Sequence, residues 1–84
     1  MRSLDQLAID EQAKIFSLRA EGEMRRRLQD LGFVPGAEVM PLFRGCSGDP
    51  TAYLVFGAVI ALRREDAARI QVQDPAGPAT LAVP

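Results

Sequence analysis

At 84 residues, 48% apolar and 25% charged, the chain has the balance of one ordinary globular domain; a chain this short buries only about 60% of its unfolded surface and has no room for two cores. A formal charge of −1 with both signs interspersed excludes long-range attraction to phosphate backbones or anionic lipid, so neither nucleic-acid binding nor membrane insertion is expected. Cys46 is the single cysteine and histidine is absent, which excludes an intrachain disulfide and any imidazole base or ligand and suits a reducing, cytoplasmic compartment.

The opening Met1-Arg2-Ser3-Leu4-Asp5 meets an acid before any apolar run, unlike an export signal. Leu4, Leu7 and Ile9 are expected to anchor a short lead-in turn, and Ala13 to Arg19 reads as a strand of mixed pattern. From Glu21 to Leu31 the period becomes helical. Met24, Leu28 and Leu31 recur at i, i+4 and i+7 with Arg25, Arg26, Gln29 and Asp30 outside; Glu21 and Glu23 suit the positive end of the helix dipole. Gly32 is placed to end the helix in a left-handed conformation, with Phe33 folding back onto the last turn. Val34-Pro35-Gly36-Ala37 then predicts a type II turn.

Ala37 to Arg44 is expected to be a peripheral strand with Val39 and Phe43 on one face, because Pro41 lacks a ladder donor and belongs at an edge or bulge. Gly45 to Pro50 is a loop by composition, in which Gly48 and Asp49 turn the chain and Pro50 stiffens the entry to the next strand. Thr51 to Phe56 and Ala58 to Leu62 are two β-prone runs meeting at Gly57, a hairpin or a sharply bent strand. The apolar stretch from Tyr53 to Leu62 is far short of the ~20 residues of a spanning helix. Arg63 to Ala68 offers one helical turn, and Ile70 and Val72 alternate in a last short strand. Residues 74–84, rich in proline, alanine and glycine, read as a flexible tail appended to a domain of residues 1–73. About five short strands and a short inserted helix predict a mainly β fold, a small barrel whose closure hides its edges.

The stretch Met24-Arg25-Arg26-Arg27-Leu28-Gln29-Asp30-Leu31-Gly32-Phe33-Val34-Pro35-Gly36 resembles the R-R-L-x-D-L-G-F-x-P-G signature of the FeoA family. A second block, Gly48-Asp49-Pro50 followed by Tyr53 to Gly57, Ile60 to Arg63, Glu65 to Ala67, Ile70 and Val72, is similar to that family's C-terminal half in order and spacing. The resemblance spans roughly Leu4 to Val72. It departs around Glu11-Gln12, where a glycine is common, and at Cys46-Ser47, where Pro-Leu is frequent. It implies an SH3-like β-barrel with a helix inserted after the first strand. It also implies an accessory role in bacterial ferrous-iron uptake, by binding the FeoB membrane transporter, which carries a cytosolic GTP-binding domain.

No constellation for catalysis is present, so the chain is expected to be a binding protein, not an enzyme. Neither a cofactor nor a metal site is expected: Cys46 and Asp49 offer at most two ligands where a closed site needs four. Arg25-Arg26-Arg27 fan around the helix and cannot form one phosphate-tracking patch. Arg27 is expected to lay its stem on the barrel and pair with Asp30. The candidate partner surface comprises Met24, Arg25, Leu28, Leu31 and Phe33, with core burial of Leu28 left as the competing reading. Gly32, Pro35, Gly36, Gly48, Asp49, Pro50 and Gly57 are assigned to turn geometry. Weak self-association stays open. The alternative functions are a metal-dependent transcriptional regulator, since iron-responsive repressors carry a similar barrel, and a generic interaction module, for which five aromatics are few.

Overall fold

Short β-prone runs punctuated by glycine and proline can pair only with one another, and the computed structural model shows the outcome for residues 2–73, the part of the chain it describes. Six strands form one antiparallel sheet: β1 (Arg2–Ser3), β2 (Ala13–Leu18), β3 (Glu38–Arg44), β4 (Thr51–Val55), β5 (Ala58–Leu62) and β6 (Ile70–Gln73). Helix α1 (Gly22–Asp30) follows β2, helix α2 (Arg64–Ala67) precedes β6, and a short helical turn, Leu4–Gln6, follows β1. The order across the sheet is β1-β6-β2-β3-β4-β5, and among the described residues no pairing joins β5 to β1. The mainly β architecture with one inserted helix is as expected, with β1 added to the five anticipated strands and the ladder left open. The tail assigned to residues 74–84 lies outside the described residues.

Helix α1 stops where its sequence says it should. The Gly32 N–H donates to the Gln29 carbonyl at 3.0 Å and the Phe33 N–H to the Leu28 carbonyl at 3.0 Å, with Gly32 at φ +106°. This paired arrangement satisfies two carbonyls that the helix itself cannot, and it swings Phe33 back over the last turn. Leu28 and Phe33 are both fully buried in the core cluster. The chain then reverses through the expected type II turn, with Gly36 at φ +92° and the Ala37 N–H on the Val34 carbonyl at 3.0 Å.

Strand β3 departs from expectation in two ways with one cause. It is not peripheral but lies between β2 and β4, and the register with β4 shifts between Pro41 and Phe43. The bulge accommodates the proline in the sheet interior and inverts the alternation beyond it. Val39 and Pro41 therefore point inward while Phe43 is 61% exposed, on the face opposite to the one expected. The lead-in is strapped across this strand. The Asp10 N–H donates to the Pro41 carbonyl at 2.8 Å and Arg44 donates to the Leu7 carbonyl at 2.7 Å. Leu4 and Leu7 are buried; Ile9, expected beside them as an anchor, is exposed. The Arg2 guanidinium at 2.6 Å and the Ala8 N–H at 2.9 Å hold the Glu11 carboxyl below the usual carboxylate range.

The glycine-rich loop does structural work through Asp49. Helix α2 has no side-chain cap of its own, and Asp49 Oδ1 accepts the Arg64 N–H at 2.8 Å from the other side of the β4–β5 hairpin. Asp49→Ala removes that acceptor and is expected to cost about 1 kcal/mol in urea denaturation, with Asp49→Asn retaining most of the stability. Cys46, in the same loop, is an exposed free thiol. Arg27 does not pair with Asp30; its exposed guanidinium places Nη2 3.8 Å from Asp66 Oδ2 on α2, a long contact of little energetic weight.

Candidate docking surface

Strands β4 and β5 join through two residues, Phe56 and Gly57, at φ +51° and +77°. Positive φ at both central positions is the type I′ hairpin turn, whose twist matches that of the strands and whose first position favours asparagine, aspartate or glycine. An aromatic residue there works against its own backbone, by roughly 1 kcal/mol. The ring is 73% exposed, the most exposed large apolar group among the described residues. Its position is set by the helix end: a Cβ on Gly32 would come within 3.1 Å of Phe56 Cδ2, so the bare backbone of Gly32 leaves the space the ring occupies.

Leu31, the residue before Gly32, is 38% exposed, so the helix end carries a second exposed apolar side chain next in sequence to the glycine that the Phe56 ring approaches. Beside them opens a cleft of about 500 Å³ lined by Gly36, Met40, Leu54 and Phe56, with Gln12, Lys14 and Glu38 at its polar margin. Met40 and Leu54 are cross-strand partners in the β3–β4 ladder and both are half-buried. Apolar floor, polar margin and a projecting aromatic suit attachment of another protein better than reaction chemistry.

The structure divides the five candidates read from the sequence. Leu28 and Phe33 have no exposed surface and act as core, so they offer nothing for a partner to touch. Met24 is half-buried against the core, leaving Arg25 and Leu31 exposed. Arg25 donates to the Leu18 carbonyl at 3.2 Å and lines a second, open cleft with Arg19 and Arg69, the residue after β2 and the residue before β6. The helix arginines do fan apart, but the tertiary fold groups Arg25 with two others. Sequence reasoning missed Phe56, Met40 and Leu54 as well as Arg19 and Arg69. Phe56 alone carried a readable signal, a large apolar residue immediately before the hairpin glycine.

The turn assignments have their geometry. Gly32, Gly36, Gly48 and Gly57 take positive φ, Pro35 precedes Gly36 in the type II turn, Asp49 caps α2, and the Pro50 carbonyl accepts the Gly45 N–H at 2.9 Å to close the loop. Among the described residues no group of three or more His, Cys, Asp or Glu is placed to hold a metal ion, and no helix is long and apolar enough to cross a membrane.

Known proteins share this fold and are related to the chain in sequence. The chain is 37% identical to the FeoA protein of Chlorobium tepidum, whose solution structure superposes with a TM-score of 0.82 over 89% of this chain and 71% of that one. It is 31% identical to FeoA of Stenotrophomonas maltophilia, an SH3 domain protein solved with zinc, at a TM-score of 0.77 over 87% and 91% of the two chains. It is also 34% identical over 70 residues to the Fe(2+) transport protein A/Fe(2+) transporter FeoB fusion protein of Porphyromonas gingivalis; the match takes in 83% of this chain and spans 8% of that protein. The fold is therefore SH3-like. With the FeoA domain model matching residues 2–74, this chain belongs to the FeoA family, which is associated with ferrous-iron transport.

Proposed function

We propose that this protein is a cytoplasmic accessory of a FeoB-type ferrous-iron transporter, attaching to its cytosolic GTP-binding portion and adjusting its activity. The observation that carries the reading is the Porphyromonas gingivalis fusion, in which an FeoA unit resembling this chain and a FeoB transporter share one polypeptide. Two functions fused in one chain have a fixed high effective concentration; separate chains need an interface to replace it. The surface formed by Leu31, Phe56 and the cleft over Met40 and Leu54 is the proposed interface, with Arg25 on the adjoining helix face.

Modulation requires a preference. A bound accessory shifts transport or nucleotide handling only by the difference between its affinities for two FeoB conformations. The test is a titration of this chain onto detergent-solubilised full-length FeoB from the same genome, with a non-hydrolysable GTP analogue, with GDP and without nucleotide. Affinity differing by roughly fivefold or more between nucleotide states is expected, the lower end of ordinary coupling. Equal affinity in all three states would remove modulation through nucleotide state, and no association at about 100 μM, a level that ordinary transient complexes exceed easily, would remove the partner itself.

A further inference from the structure

Strand β5 ends the sheet. Its only strand neighbour among the described residues is β4, so the far side of Ala58–Leu62 is an open edge. Sheet proteins usually protect such an edge with a charge, a proline, a bulge or a very short strand. Here none is present: Ala58-Val59-Ile60-Ala61-Leu62 is uncharged, lacks proline and pairs with β4 through five consecutive partners without a register shift.

The face leading to this edge is also apolar. Cross-strand partners share a face, so Met40, Leu54 and Val59 form one row across β3, β4 and β5, and Phe43, Ala52 and Ala61 form the next. An antiparallel sheet with one solvated face normally alternates apolar with polar residues, and these two rows contain no polar residue. Val59 is 58% exposed and Phe43 61% exposed.

We infer that the β5 edge is a self-association surface, on which a second copy of this chain pairs its own β5 antiparallel across a two-fold axis. Register selects this pairing. In a two-residue hairpin the pair closing the turn, Val55 and Ala58, exchanges hydrogen bonds, and hydrogen-bonded and non-hydrogen-bonded pairs alternate outward from it. Ala58, Ile60 and Leu62 thus direct their backbone groups at β4, while Val59 and Ala61 direct theirs at the open edge. A two-fold axis at Ile60 sets Val59 of each copy opposite Ala61 of the other, and all four outward N–H and C=O sets find partners in that single register. It also sets Val59 beside Ala61 on the outer face, large against small, so that each row of one copy continues as the other row of its mate.

Charge agrees with this occupant. The cations that follow β5, Arg63 and Arg64, fall opposite Gly57 and Phe56 of the other copy, so no like charges meet across the axis, as they would with a basic partner strand. Area limits the strength: a five-residue edge offers less than the ~800 Å² per partner of a stable complex, so the dimer is weak and forms at high micromolar concentration.

The experiment is amide hydrogen exchange and sedimentation velocity of the full chain between about 20 μM and 1 mM, a range that brackets weak association. A monomer–dimer equilibrium is expected in which the Val59 and Ala61 amides become protected roughly tenfold or more with concentration, while Ile60 and Leu62 are slow throughout. Val59→Lys and Ala61→Pro should each leave a monomer of unchanged circular dichroism, because lysine and an outward-facing proline are tolerated on an edge. A chain that is monomeric at every concentration overturns the inference, whether or not the two amides are protected by another part of the chain. So does a dimer that survives both substitutions.

Discussion

Leu28→Gln is expected to destabilise the fold severely. Although Leu28 lies in the middle of the family signature, on the helix that a partner would first be expected to meet, its side chain is wholly inside, touching the same core as Phe33 and Val55. Replacing it loses the apolar burial, leaves a partial cavity and encloses an amide without a matched partner; together these cost about 3–5 kcal/mol. A domain of this size has a total stability on the order of 4–12 kcal/mol, so the variant loses at least about a quarter of it and, at the lower end of that range, all of it. Thermal or urea denaturation followed by circular dichroism should show a large fall in midpoint or no cooperative transition. Any accompanying loss of FeoB association is then a consequence of unfolding. A Leu28→Gln protein with wild-type stability and no binding would mean that the helix packs differently from the way described here.

Phe56→Asn moves stability and binding in opposite directions. Asparagine is among the residues that the first position of a type I′ turn favours, so the substitution relieves a backbone cost of about 1 kcal/mol. Phe56 is 73% exposed and its ring lies over the bare backbone of Gly32, so little burial is lost. A net gain of roughly 0.5–1 kcal/mol follows, which for a domain of this length raises the melting temperature by a few degrees, about 2–8 °C. Affinity for FeoB should meanwhile fall at least tenfold, because exposed aromatics that are buried at the centre of an interface carry a disproportionate share of its energy. Destabilisation without loss of binding would reverse both halves of this expectation and return Phe56 to a structural role. The pairing of a strained turn with an exposed ring is the kind of local compromise that functional surfaces retain.

These two residues mark the boundary between what local sequence encodes and what distant pairing adds. The helix from Gly22 to Asp30, its glycine stop, the type II turn at Pro35-Gly36 and the hairpin at Gly57 depend on interactions within a few residues, so their signals survive in the linear chain. The run of strands and the single core followed from short β-prone segments in a chain too small for anything larger. The FeoA signature could be read because it coincides with this locally determined region.

Tertiary structure decided the rest, because it depends on which segments meet. The bulge between Pro41 and Phe43 exists only in the ladder with β4; it puts a proline-bearing strand inside the sheet and turns Phe43 outward, against the alternation visible in the sequence. Whether Leu28 or Leu31 of the helix faces the core is settled by what lies beneath, and the stop at Leu31 leaves only Leu28 inside. The three-arginine cleft joins residues 19, 25 and 69, and the proposed docking surface joins a helix end to a hairpin tip. Each is a product of chain reversals that bring remote residues together, and no periodicity along the chain records that.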